Sequence, residues 1–341
     1  MATQFLVRGA AALLAVAALA ALVVACGDDE GEVRPIAVNE GGSPSGTGSA
    51  SASGTHTHTG SASGSATGIS TEGLETSTSN DLIQSAVDGY RGYLMAQVDQ
   101  MISDTDVFTD AIRAGDLEAA KAAYAVSRLA WERIEPIAGL VEEIDGAVDA
   151  RVDDFENEDD PEFTGWHRLE YILFSLNTTD GAAQFADKLD ADLRILRDSI
   201  PDLELPPAVL AIGAAELIEE VSQGKITGEE DRYSKTDLWD FYANLEGSKA
   251  LIRLLTPALE EADPDLLASI NAGFDELDET LAPLRHGNGW VPYCQENDEY
   301  HSDEYCPNGP TVSQATVDQL KAQLASLSEN ISQTAGALSL Q

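Results

Sequence analysis

Three short segments of this sequence concentrate residues able to do chemistry: Tyr124–Pro136, Asp149–Glu162 and Gly165–Tyr171. In the last of them His167 and Glu170 stand at i and i+3, and in the first Glu132 and Glu135 do the same. On a helix this spacing puts both members of a pair on one face. Helical bundles hold metal ions with such Glu-x-x-His pairs, joined by carboxylates from other helices. Several carboxylates with one imidazole suit a hard-to-borderline cation such as iron, manganese or zinc, and not a thiolate-loving soft ion. Calcium fits less well because it rarely takes His. Ile134 and Leu169 give both pairs apolar neighbours, where an unpaired carboxylate is costly. A plainer reading stays open: Glu132 and Glu170 in ordinary helix salt bridges with Arg128, Arg133 or Arg168.

The elements that must position these residues are helical. From Asp81 onward apolar residues recur every three or four positions. Helices are expected near 81–114, 116–137, 162–176, 180–199, 206–223, 236–261, 264–285 and 311–338. Asp116 and Asp180 are candidate N-caps, and Pro206-Pro207 and Asp263-Pro264 suit first turns. No segment alternates convincingly as a strand. Eight helices on short links predict an all-α fold over 81–341, built as two antiparallel four-helix bundles dividing near 200–206.

The start of the chain has a different character. Arg8 precedes an uncharged run from Gly9 to Ala25, which reads as an export signal over 1–25. Val23-Val24-Ala25-Cys26 resembles a bacterial lipobox, so Cys26 is expected to carry lipid and tether the chain to the cell membrane, in the periplasm or at the outer face. Residues 26–80 are expected to be a linker, because the stretch from Gly41 to Asn80 is dominated by Ser, Gly and Thr and cannot bury enough apolar surface to order itself. His56 and His58 within it could catch a metal weakly but read better as chance polar residues. With Cys26 set aside, Cys294 and Cys306 remain as an even pair, expected to form a disulfide closing an acidic loop. A metal pair with His301 is the less favoured option, since the spacing fits no compact zinc pattern.

The formal net charge of -41, with 60 acidic against 19 basic residues, excludes nucleic acid as a natural partner, because phosphate binding needs clustered Lys and Arg. Cations are the partners such a surface favours.

The strings Trp131–Pro136, Asp149–Asp154 and Gly165–Phe174, together with Gly224–Ser234 and Thr236–Phe241, resemble those of the imelysin-like family, in particular its EfeO-type iron-uptake branch. The matching strings run from about Asp81 to Pro283. The resemblance implies two four-helix bundles and an extracytoplasmic metal-binding role. It implies His167 and Glu170 as the family's H-x-x-E ligands, with Glu132, Glu135 and Asp149 as further ligands and Asp153 as a less secure one. Iron is the implied ion, with zinc, manganese or copper as alternatives, and the implied partner is a membrane permease that receives it from a monomeric lipoprotein. The Gly228–Asp240 string either lines a cleft or stabilises the fold; the second reading is preferred because Thr236 or Asp237 could cap a helix. Two departures stand out: a linker replaces the N-terminal cupredoxin domain of some relatives, and Lys235 stands where relatives carry His.

Two other functions compete with metal delivery. The family's H-x-x-E has led to its grouping with peptidases, but zinc peptidases usually carry H-E-x-x-H, and here Arg168 follows His167 and Tyr171 stands at i+4. Enzyme activity is therefore the weaker expectation. A polysaccharide- or partner-binding module would use Trp131, Trp166, Trp239 and Trp290, against the repulsion of a polyanion by the acidic surface.

Overall fold

The computed structural model describes residues 73–340. The expected signal, Cys26 and the linker histidines His56 and His58 lie outside the described residues.

Nine α-helices are present among the described residues: α1 (Asp81–Ala114), α2 (Leu117–Ile134), α3 (Glu142–Val148), α4 (Gly165–Glu170), α5 (Ala183–Ser199), α6 (Pro207–Gln223), α7 (Asp237–Ala262), α8 (Pro264–Leu281) and α9 (Gln314–Ala337). The fold is all-α, as the spacing of apolar residues predicts. Asn80 caps α1, Asp116 caps α2, Asp263 caps α8 and Ser313 caps α9, each accepting from backbone N–H groups of the first turn. Pro207 opens α6.

Some expectations need correction. Asp180 does not cap α5, which starts at Ala183 with no side-chain cap. Instead the Asp180 N–H is itself held by Thr178 Oγ1. α3 was not expected: it is too short for apolar periodicity to register, and Val148 is its one buried residue. A two-residue antiparallel pair, β1 (Arg285–His286) with β2 (Gly289–Trp290), is likewise too short to show alternation. Cys294 and Cys306 are joined by a disulfide, as the cysteine count predicts.

α1 packs against α2, α5 and α7; α6 packs against α7 and α9; α8 packs against α9 and α7. α2 and α7 lie side by side at the centre. Their closest approach is at Gly247, where a Cβ would overlap the Arg133 carbonyl. One turn earlier on α7, Asn244 Nδ2 donates to the Glu132 carbonyl oxygen at 3.0 Å. Thus the two helices that carry Arg128, Glu132 and Asp240 are locked together by a bare backbone contact and a hydrogen bond.

Replacing Gly247 by Ala forces α2 and α7 apart. We expect a loss of about 1–3 kcal/mol, the usual range for overpacking, read as a lowered midpoint in chemical denaturation.

A buried carboxylate cluster around His167

Glu132 is held by α2 and points into the interior with no exposed surface, as does Arg128 one turn before it. A charge buried this deeply must be paired, and Arg128 has several partners. Its Nη1 lies 2.5 Å from Asp149 Oδ1, its Nη2 3.0 Å from Glu230 Oε1, and its Nε 3.2 Å from Asp240 Oδ2. It also pairs with Glu132. A second buried cation, Lys225, sits 2.9 Å from Glu132 Oε2, 2.8 Å from Glu135 Oε2 and 3.4 Å from Glu230 Oε1. Asn244 donates to both Glu132 and Glu135.

His167 enters from α4. Gly165 starts that helix at φ 77°, a left-handed conformation, with the Val148 backbone where a Cβ would stand. Only glycine fits this contact, and it sets the direction from which the His167 ring approaches. After Glu170 the helix widens into a π-turn over Tyr171–Ser175. Such turns recur at functional sites.

The His167 Nδ1 lies 3.5 Å from Glu170 Oε2. Its Nε2 lies 3.5 Å from Asp149 Oδ1 and 3.6 Å from Glu230 Oε1. These last two distances are too long for hydrogen bonds, so Nε2 is buried without a hydrogen-bond partner. Two sets of potential ligand atoms gather on this ring, Asp149–His167–Glu230 and His167–Glu170–Asp231, each within 4.8 Å. A third set, Glu132–Glu230–Asp240, gathers within the same distance, but Arg128 already bonds all three of its members.

The chain segment before α7 completes the site. The N–H groups of Tyr233 and Ser234 donate to Glu170 Oε1 at 2.9 and 2.8 Å. Asp231 accepts from the Tyr124 hydroxyl at 2.8 Å and from Thr236 Oγ1 at 2.5 Å. The Gly228–Asp240 string therefore builds the site, contrary to the preference for a merely stabilising role. Thr236 and Asp237 serve Asp231 rather than capping α7: Asp237 Oδ1 accepts the Asp231 N–H.

The structure thus brings His167, Glu170 and Asp149 together and adds Glu230 and Asp231, which sequence reasoning missed. Their sequence signals were their place in the Gly224–Ser234 string and the acidic run Glu229–Asp231, which reads as a solvated face until the fold buries it. Glu132 and Glu135 adjoin the cluster but are engaged by Lys225. Asp153 sits apart, half-exposed and paired with Arg232. The salt-bridge reading is right for Glu132 and Arg128. It fails for Glu170, whose Oε1 takes backbone N–H groups, while Arg133 pairs with Glu246 and Arg168 lies 4.9 Å over the Phe185 ring.

The charges on the cluster follow from burial and pairing. Burial and the Arg128 charge both press the His167 imidazolium to lose its proton. Asp149, Glu170 and Glu230 outweigh them and raise its pKa to about 10. Burial raises the Asp149 carboxyl, but Arg128 and His167 hold it below the usual range. Burial likewise opposes ionisation of Glu230, and Lys225, Arg151 and His167 overcome it. The site therefore has cations that keep their protons (Arg128, Lys225, Arg151) and the His167 imidazolium, whose proton a ligand on the ring nitrogen would displace. A metal ion taking that nitrogen must displace the proton, as is general for imidazole ligands.

The chain matches the imelysin family over residues 86–334. It is 46% identical over 256 residues to the iron uptake system component EfeO of Escherichia coli O157:H7, covering 75% of this chain and 64% of that protein. The same figures hold for EfeO of Escherichia coli K12. EfeO of Shigella boydii serotype 4 is 49% identical over 231 residues, covering 67% of this chain and 61% of that protein. The chain thus spans less than two thirds of the length of these relatives.

Two groups near the cluster set its pH response. Burial lifts Glu220 and Asp145 to about 7 each, against about 4 in an unfolded chain. The folded state then binds more protons than the unfolded one between about pH 4 and 7, so stability falls as pH rises through that window. The metal-free protein should melt at a higher temperature at pH 5.5 than at pH 8, and Glu220→Gln should shrink the difference. Lys225→Met leaves Glu132 and Glu135 buried without their ammonium and should cost about 3–5 kcal/mol in denaturant unfolding at pH 8.

Proposed function

Because this chain belongs to the imelysin family, we propose that it is an extracytoplasmic metal-binding protein of an iron-uptake system, with iron as cargo rather than cofactor. The observation that carries this reading is the His167 Nε2: a buried ring nitrogen 3.5 and 3.6 Å from two carboxylates, in ion-pair contact but without a hydrogen bond. Such an atom is costly unless something else takes it, and a cation bridging the imidazole and the acids would do so. The names of the EfeO relatives support iron as that cation.

An ion on His167 Nε2 would meet Asp149 and Glu230; Glu170 lies on the Nδ1 side of the ring and gathers with Asp231 as a second set of potential ligands. Glu132 and Glu135 reach the ion only by exchanging Lys225 for it. Asp153 stands at the rim, where with Arg232 it borders the approach rather than the ion. The ligands suit a borderline metal, and their carboxylate excess suits a cation carrying two or three charges. Lipid attachment at Cys26 would hold the protein at the membrane, and the cargo would pass to a permease. No helix among the described residues is long and apolar enough to cross a membrane.

A peptidase would need a metal-bound water at an open position. Neither His286 nor His301 joins a group of potential ligands among the described residues, so His167 would be the one imidazole on such a metal.

The test is titration of the metal-free protein with Fe²⁺, Fe³⁺, Zn²⁺ and Cu²⁺, with metal content measured after gel filtration. One main site is expected. His167→Ala should weaken it by at least about 100-fold, the upper end of what loss of a supporting residue costs, and Glu132→Ala should weaken it less. Equal binding by wild type and His167→Ala would end the proposal.

A further inference from the structure

The disulfide-closed segment Cys294–Cys306 lies against the turn that holds Glu170 and carries Asp231. Three contacts anchor its start. Tyr293 N donates to the Lys235 carbonyl at 2.9 Å, Tyr293 Oη donates to the Ile226 carbonyl at 2.8 Å, and Gln295 Nε2 reaches the same carbonyl at 3.2 Å. Further on, the Tyr300 ring covers the Arg232 guanidinium at 4.5 Å.

The central contact is buried. Lys235 has no exposed surface, and its Nζ lies 2.8 Å from Asp298 Oδ2, whose side chain is 2% exposed. The pair meets as an ion pair without hydrogen-bond geometry. Lys235 also adopts φ 62°, a left-handed conformation that a long side chain rarely takes. Its N–H donates to the Asp231 carbonyl at 2.8 Å, so the residue closes the very turn whose Tyr233 and Ser234 N–H groups grip Glu170.

We propose that Asp298 and Lys235 are positioning residues for the cation site: the disulfide-closed segment clamps the 231–236 turn through this ion pair and so fixes the Glu170 and Asp231 carboxylates beside His167. The inference rests on the metal-binding role proposed above. An unfavourable backbone conformation persists where surrounding contacts over-determine it. Here those contacts are the ammonium buried against Asp298 and the carbonyl taken by Tyr293. The cross-link keeps Asp298 in place by limiting the freedom of its segment. Residues that orient ligands in this way typically contribute 10–100-fold to metal affinity.

The experiment is Zn²⁺ titration, by calorimetry, of the full chain and of Asp298→Ala, Asp298→Glu and His167→Ala. Asp298→Ala should weaken binding by about 10–100-fold, with its helical circular dichroism and cooperative melting retained, and Asp298→Glu should recover much of the loss. Wild-type affinity in Asp298→Ala alongside loss in His167→Ala overturns the clamp while leaving the metal site standing. Wild-type affinity in His167→Ala sinks the metal site itself, and the clamp with it. If Asp298→Ala does not fold, the double variant Lys235→Gly/Asp298→Asn serves in its place. It removes both charges together and gives the left-handed position a glycine. Wild-type affinity in that variant likewise overturns the clamp.

Discussion

Arg128 has no exposed surface, yet Glu132 one turn on and Asp149, Glu230 and Asp240 from other parts of the chain all turn a carboxylate toward it. Everything else at the centre of this protein answers to that arrangement. Buried carboxylates demand cations, and Arg128 with Lys225 supplies fewer charges than the acids require. Burial accordingly pushes the Asp240 carboxyl well above its usual range, and the His167 imidazolium adds a further positive charge. This excess of negative charge, with one neutralising charge carried by the His167 imidazolium, is what the proposed metal-binding role rests on.

The backbone places these groups at some conformational cost. Gly165 turns α4 inward, the π-turn follows directly after Glu170, and Lys235 takes a left-handed conformation at the turn facing it. These irregularities all fall within the short distance between the H-x-x-E helix and the segment before α7, while the long helices around them are regular.

Lys225 gives the site a further character. Glu132 and Glu135 look like ligands on a helix face, and in the fold they hold an ammonium instead. An internal cation of this kind keeps two acids buried without metal, and any ion that recruits them must compete with it. Competition of this sort would lower the affinity of any ion that recruits Glu132 and Glu135.

The sequence by itself determined the helical class, most helix limits, the cap at Asp116, the first turn at Asp263-Pro264, and the disulfide. Apolar period, capping side chains and cysteine parity are local signals that survive in one dimension. It also marked His167, Glu170 and Asp149 through the resemblance carried by their strings. It left undecided whether Glu132 and Glu135 face a metal or a protein cation, since Lys225 lies far along the chain and charge pairing across such a distance leaves no periodic trace. It hid Glu230 and Asp231 inside an acidic run that resembles solvated surface, and it gave no hint that Asp298 reaches Lys235. Only the tertiary structure decided these points, because which charges are buried together depends on how α2, α4 and the segment before α7 converge, and convergence is a property of packing rather than of any local stretch of residues.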